Sequence, residues 1–124
     1  MKKIFTILGF LFSMSVFAQN SDAVTNALKE GNADKFTSYF NNTVDVKLPK
    51  KNEMQNANKT EATNAIKSFF SANNINGFEI ISQREMSGTM YIAGKLKSAS
   101  QDYNLTVMLK SKGDNTSIIT VRIN

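Results

Sequence analysis

The sequence predicts an α+β domain: three helices, all from the first half of the chain, lying on a curved antiparallel sheet of about five strands. Three observations carry this. Between residues 23 and 70, apolar side chains recur in short blocks at i, i+3 and i+4, the spacing of a helix with one buried face. Residues 43–48 and most of 78–123 alternate apolar and polar side chains with the period of a strand. The last four alternating segments are separated by short turns, which joins them as an antiparallel meander. A chain of 124 residues is long enough for one domain with its own core.

The elements follow in chain order. Residues 1–18 read as a bacterial export signal. Lys2 and Lys3 form its basic start, Ile4 to Val16 an uncharged apolar run, and Val16-Phe17-Ala18 a small-residue cleavage site. The run is short for a membrane span of ~20 residues. No cysteine follows it to take a lipid. Cleavage after Ala18 is expected to leave residues 19–124 as a single domain in the periplasm or outside the cell, without a membrane anchor. Lys2 and Lys3 account for two of the five net positive charges, so much of the apparent basicity belongs to the signal.

Ser21 or Asp22 is positioned to cap a helix over Ala23–Glu30, with Val24, Ala27 and Leu28 on one face and Gly31 as its stop. Asn32 caps a second helix, in which Phe36, Tyr39 and Phe40 repeat the spacing before Asn41-Asn42 closes it. Thr43–Leu48 alternates as a strand and Pro49 ends it. Residues 50–57 are polar and aperiodic, a loop with at most a short irregular strand. Asn58-Lys59-Thr60-Glu61 has the form of a capping box and opens the clearest helix, with Ala62, Ile66, Phe69 and Phe70 apolar and Asn73-Asn74 at its end. Strands are expected over 78–86, 89–97, 103–110 and 117–123.

Strand parity sorts the side chains onto two faces. Val44, Val46, Leu48, Met90, Ile92, Leu96, Tyr103, Leu105, Val107, Leu109, Ile119, Val121 and Ile123 share one face. Asp45, Tyr91, Ala93, Lys95, Thr106, Met108, Ile118, Thr120 and Arg122 fall on the other. The segment from Phe78 is ambiguous because Ile80 and Ile81 are adjacent. The first face is the one the helices must cover. Replacing Phe69 or Val107 with Asp is expected to unfold the domain.

This order of elements resembles the nuclear transport factor two-like (cystatin-like) cone, and within it a group of small exported bacterial proteins carrying a domain of unknown function. The resemblance rests on Ala27-Leu28-Lys29-Glu30-Gly31-Asn32-Ala33, Tyr39-Phe40-Asn41, Val46-Lys47-Leu48-Pro49, Ala65-Ile66-Lys67-Ser68-Phe69-Phe70 and Tyr91-Ile92-Ala93-Gly94-Lys95-Leu96. It covers nearly all of residues 19–124. The resemblance implies the fold and no particular activity, since this fold hosts isomerases, dehydratases, ligand carriers and interaction modules. It also implies a tendency to dimerise through the outer sheet face.

Composition removes many chemistries. With no His and no Cys, a Cys–His dyad, a Ser–His–Asp triad, Cys/His zinc sites and disulfides are excluded. No acidic cluster has calcium-loop spacing, and no cofactor motif is present. The one basic doublet of residues 19–124, Lys50-Lys51, reads as a solvated loop, not as a nucleic-acid stripe. The expectation is an exported, non-catalytic binding or interaction module with no catalytic residues. Its candidate surface for an unknown protein or a second copy is Tyr91, Ala93, Met108, Ile118 and Arg122, an apolar centre in a polar rim. One alternative is a carrier of a small apolar ligand, with Phe36, Phe40, Phe69, Phe70, Met90, Ile92 and Tyr103 lining the cone. Another is an isomerase- or lyase-like enzyme using Asp45 or Tyr103, with Tyr39, Ser82 or Arg84 as further inward polar groups.

Overall fold

The computed structural model describes residues 20–113 and 115–124. The expected export signal lies outside them. Residues 20–29 form helix α1. Ser21 and Asp22 sit inside it instead of capping it, because the helix starts earlier and is tied to the sheet there. The Asn20 amide donates to Thr116 Oγ1 at 3.0 Å, and the Gln83 amide donates to Ser21 Oγ at 3.1 Å. α1 ends in a Schellman motif: Asn32 N–H donates to Ala27 O, Gly31 N–H donates to Leu28 O, and Gly31 takes φ +67°. Only glycine fits there without a shift, since an added Cβ would lie 2.5 Å from the Ile75 carbonyl oxygen.

Asn32 then caps α2 (Ala33–Thr37), its side chain accepting from Lys35 N–H. α2 is shorter than the aromatic spacing predicts. Phe40 leaves the helix and opens strand β1 (Phe40–Lys47), where it pairs with Ile118. Its ring still meets Phe36 edge-on at 5.6 Å, so the i, i+4 contact survives the change of backbone. β2 (Met54–Asn58) occupies part of the expected loop and makes a sixth strand. Helix α3 (Lys59–Ala72) starts where the capping box places it. Asn58 Oδ1 accepts from Glu61 N–H and Asn58 Nδ2 donates to Glu61 Oε1, both at 2.8 Å. A second Schellman end follows, with Asn74 at φ +51° and Ile75 N–H donating to Phe70 O.

The meander comprises β3 (Gly77–Met86), β4 (Thr89–Lys97), β5 (Asp102–Lys112) and β6 (Asn115–Ile123). The six strands run in the order β2-β1-β6-β5-β4-β3. Every neighbouring pair is antiparallel except β1 and β6, which are parallel. One-residue bulges curve the sheet. Ile81 is the extra residue in β3, between the pairs Ile80–Gly94 and Ser82–Ala93, which resolves the ambiguity of the adjacent isoleucines. Phe78 lies over Gly94 at the bend, where a side chain on residue 94 would collide with its ring. The helices fill the concave side. Val24, Leu28, Phe36, Ile66, Ile92, Leu96, Val107 and Val121 are all fully buried in one continuous core.

Candidate functional site

The inside of the cone is apolar and buried among the described residues. Phe36, Phe40, Phe70, Met90 and Ile92 are all buried core residues. Phe36 stacks on Phe70 at 6.1 Å and meets Phe40 edge-on. Of the seven residues expected to line a cavity, these five belong to the buried core cluster. Filling the cone is how a domain of this size obtains its core.

Phe69 and Tyr103 behave differently. They meet edge-on at 5.1 Å and border an open cleft of about 720 Å³ beside the core. The cleft lies between one flank of α3 and its C-cap (Asn64, Ala65, Ser68, Phe69, Ala72, Asn73), the β1–β2 connection with the first residue of β2 (Leu48, Pro49, Lys50, Lys51, Met54) and the entry to β5 (Gln101, Tyr103). α3 turns Ala62, Ile66 and Phe70 into the core and Ala65, Phe69 and Ala72 toward the cleft. A polar chain closes one side: Gln101 Nε2 donates to Tyr103 Oη at 2.8 Å, and Tyr103 Oη donates to Asn73 Oδ1 at 3.0 Å. Asn73 Nδ2 in turn donates to Phe69 O, which fixes the amide orientation. Residues 48–54, which sequence reasoning left out of any site, supply the opposite wall. The only signals for them were the Pro49 stop and the Lys50-Lys51 doublet.

The outer, convex sheet face is the second candidate. Tyr91, Ala93, Met108 and Arg122 lie on it, the first three partly exposed in the middle of β4 and β5. Ile118 does not. It is fully buried opposite Leu109, on the helix-covered face. A bulge reverses the parity: Met108 pairs with Thr120 and Leu109 with Ile118, which leaves Ile119 as the extra, partly exposed residue. Across the sheet, register aligns Arg84, Tyr91, Met108, Thr120 and Asp45 in one row. Arg122 pairs with Glu53 at 3.0 Å at the rim.

The polar groups considered for acid–base work lie elsewhere. Asp45 is on the outer side, and its carboxylate accepts from Asn56 N–H at 2.7 Å, holding Asn56 at φ +52° in a bulge of β2. Ser82 and Arg84 pair with the outward residues Ala93 and Tyr91, and both are exposed. Gln83 is the residue of that strand that reaches a helix. Tyr39 packs against the core, partly buried. Among the described residues, no three carboxylates gather where they could hold a metal ion.

A six-stranded curved sheet filled by three helices is the nuclear transport factor two-like, or cystatin-like, architecture. The chain belongs to the family described as Domain of unknown function (DUF4783), whose model matches residues 21–124. A DUF4783 family protein from Bacteroides uniformis is 23% identical in its crystal structure, with 83% of this chain and 94% of that chain covered and a TM-score of 0.75. One from Bacteroides ovatus is 22% identical, covering 82% and 90%, with a TM-score of 0.73. An NTF-2-like protein of unknown function from Shewanella oneidensis shares the fold at 14% identity, covering 90% and 98%, with a TM-score of 0.61. No curated protein matches the chain.

Proposed function

We propose that the protein is an exported, non-catalytic interaction module that self-associates through its outer sheet face. The observation that carries this reading is the row Arg84–Tyr91–Met108–Thr120–Asp45: apolar at its centre, basic at one end and acidic at the other. A two-fold axis running along the strands at Met108 would set Met108 over Met108 of the second copy and each Tyr91 over the other copy's Thr120. The same axis would set each Arg84 over the other copy's Asp45. The non-catalytic part is supported by the apolar filling of the cone and by the employment of Asp45 in holding β2. Export is supported by the sequence pattern of residues 1–18 and by a family match that begins just beyond it, at residue 21.

Sedimentation velocity across a concentration series tests the association. The expected result is a dimer that Met108→Glu converts to monomer while circular dichroism stays unchanged. A strict monomer at high micromolar concentration, with Met108→Glu changing nothing, would overturn the reading. Mass spectrometry of the protein from its own cells checks export, with a mature N-terminus at Gln19 expected.

A further inference from the structure

The cleft beside α3 is independent of the outer face and goes beyond the self-association reading. Leu48, Met54, Ala65 and Phe69 make its walls apolar, and among the described residues no carboxylate lines the space. Two cations do line it, Lys50 and Lys51. Among the described residues neither forms an ion pair, as Lys29, Lys47, Lys59, Lys95 and Lys110 also do not; what sets Lys50 and Lys51 apart is their place beside an apolar wall. The turn that carries them is built with a cost. Lys51 N–H donates to Leu48 O at 3.2 Å across Pro49-Lys50, and Lys50 sits at φ +63°, where glycine is the usual occupant. Pro49 presets the first corner of that turn, so both lysines are held at the edge of an apolar space.

An unpaired pair of ammonium groups beside an apolar wall is complementary to one kind of molecule: a chain with an anionic end. The volume, about 720 Å³, falls within the range of small-molecule sites. The openness of the cleft suits a flexible chain laid against one wall better than a rigid ligand enclosed on all sides. We propose that this cleft binds a single-chain amphiphile with a carboxylate head, its alkyl chain along Leu48, Met54 and Phe69 and its carboxylate at Lys50 and Lys51.

The experiment uses three probes of equal chain length below their micelle concentrations: decanoate, decanol and decyltrimethylammonium. Binding to residues 19–124 is read by calorimetry and located by amide NMR shifts. Decanoate is expected to saturate one site, with shifts at Lys50, Lys51, Ala65 and Phe69, and to weaken as salt is raised. Reversing both charges (Lys50→Glu with Lys51→Glu) is expected to lower decanoate affinity by about tenfold or more while the fold is kept, both side chains being exposed. Phe69→Ala is expected to weaken decanoate and decanol alike. The proposal is overturned by any of three results: no saturable decanoate site, equal binding of decyltrimethylammonium, or shifts confined to the outer face.

Discussion

Phe69 and Phe70 are neighbours in the chain and belong to different environments. Phe70 is buried in the cone against Phe36, while Phe69 stands partly exposed at the cleft against Tyr103. The same helix supplies both, because successive residues on a helix lie about 100° apart and α3 carries two apolar stripes. One stripe is covered by the sheet. The other is covered only in part, and what it leaves open is the cleft. Hydrophobicity alone therefore does not tell a core aromatic from a binding-surface aromatic. The amount of surrounding structure does, and this can be measured as stability.

The largest effect belongs to the interior. Val107→Asp places an unpaired charge among fully buried neighbours and is expected to abolish the folded state, read as loss of sheet signal in circular dichroism. Phe69→Asp, which the sequence alone equated with it, should leave a folded and weakened protein, because the carboxylate can reach solvent through the cleft. If both variants unfold, the distinction between interior and mouth fails. Truncation grades the same contrast: Phe36→Ala is expected to cost about 3–5 kcal/mol in urea unfolding, and Phe69→Ala below about 2 kcal/mol. Gly31→Ala should fall between, at about 1–3 kcal/mol, because the left-handed backbone and the nearby Ile75 carbonyl oppose any side chain.

The smallest effect is electrostatic and lies near the rim. The Asp102 carboxylate, accepting from Lys97 Nζ at 2.9 Å, raises the Lys97 ammonium above its ordinary 10.5. Partial desolvation opposes this, and Asp102 and Glu79 add further attraction. A raised cationic pKa stabilises fully below the unfolded value and fades as pH climbs through the folded one. The stability difference between the wild type and Lys97→Met should therefore stay constant from neutral pH to about pH 10 and shrink above it. A difference that changes near neutrality would assign the stabilisation to another group.

Much of the fold was legible because the residues repeat with clean periods. The Asn58–Glu61 box and the alternation of β4 and β5 place α3 and two faces correctly. Single-residue insertions defeated the same method. Ile119 inverts the parity of Ile118, and nothing distinguishes two isoleucines in a row until pairing with β5 shows which is extra. β2 was hidden because only Met54 and Ala57 face inward, and Asn56 in a left-handed bulge breaks the period between them. Two cleft residues, Phe69 and Tyr103, were visible as candidates. The rest were not, since the space is assembled from three segments whose nearness comes only from the fold.

The parallel pairing of β1 with β6 sets an order of events. Among the described residues, β2 and β1 join the rest of the sheet through β6 alone, which follows them by more than 50 residues. A polypeptide delivered from its N-terminus, off a ribosome or through a translocation pore, exposes β1 long before its partner exists. The β1–β2 pair must wait, because a lone two-stranded hairpin is marginal in water. Such long-range closure slows folding, and it keeps this edge of the nascent sheet open until β6 has emerged. Loss of β6 would thus detach one edge of the sheet.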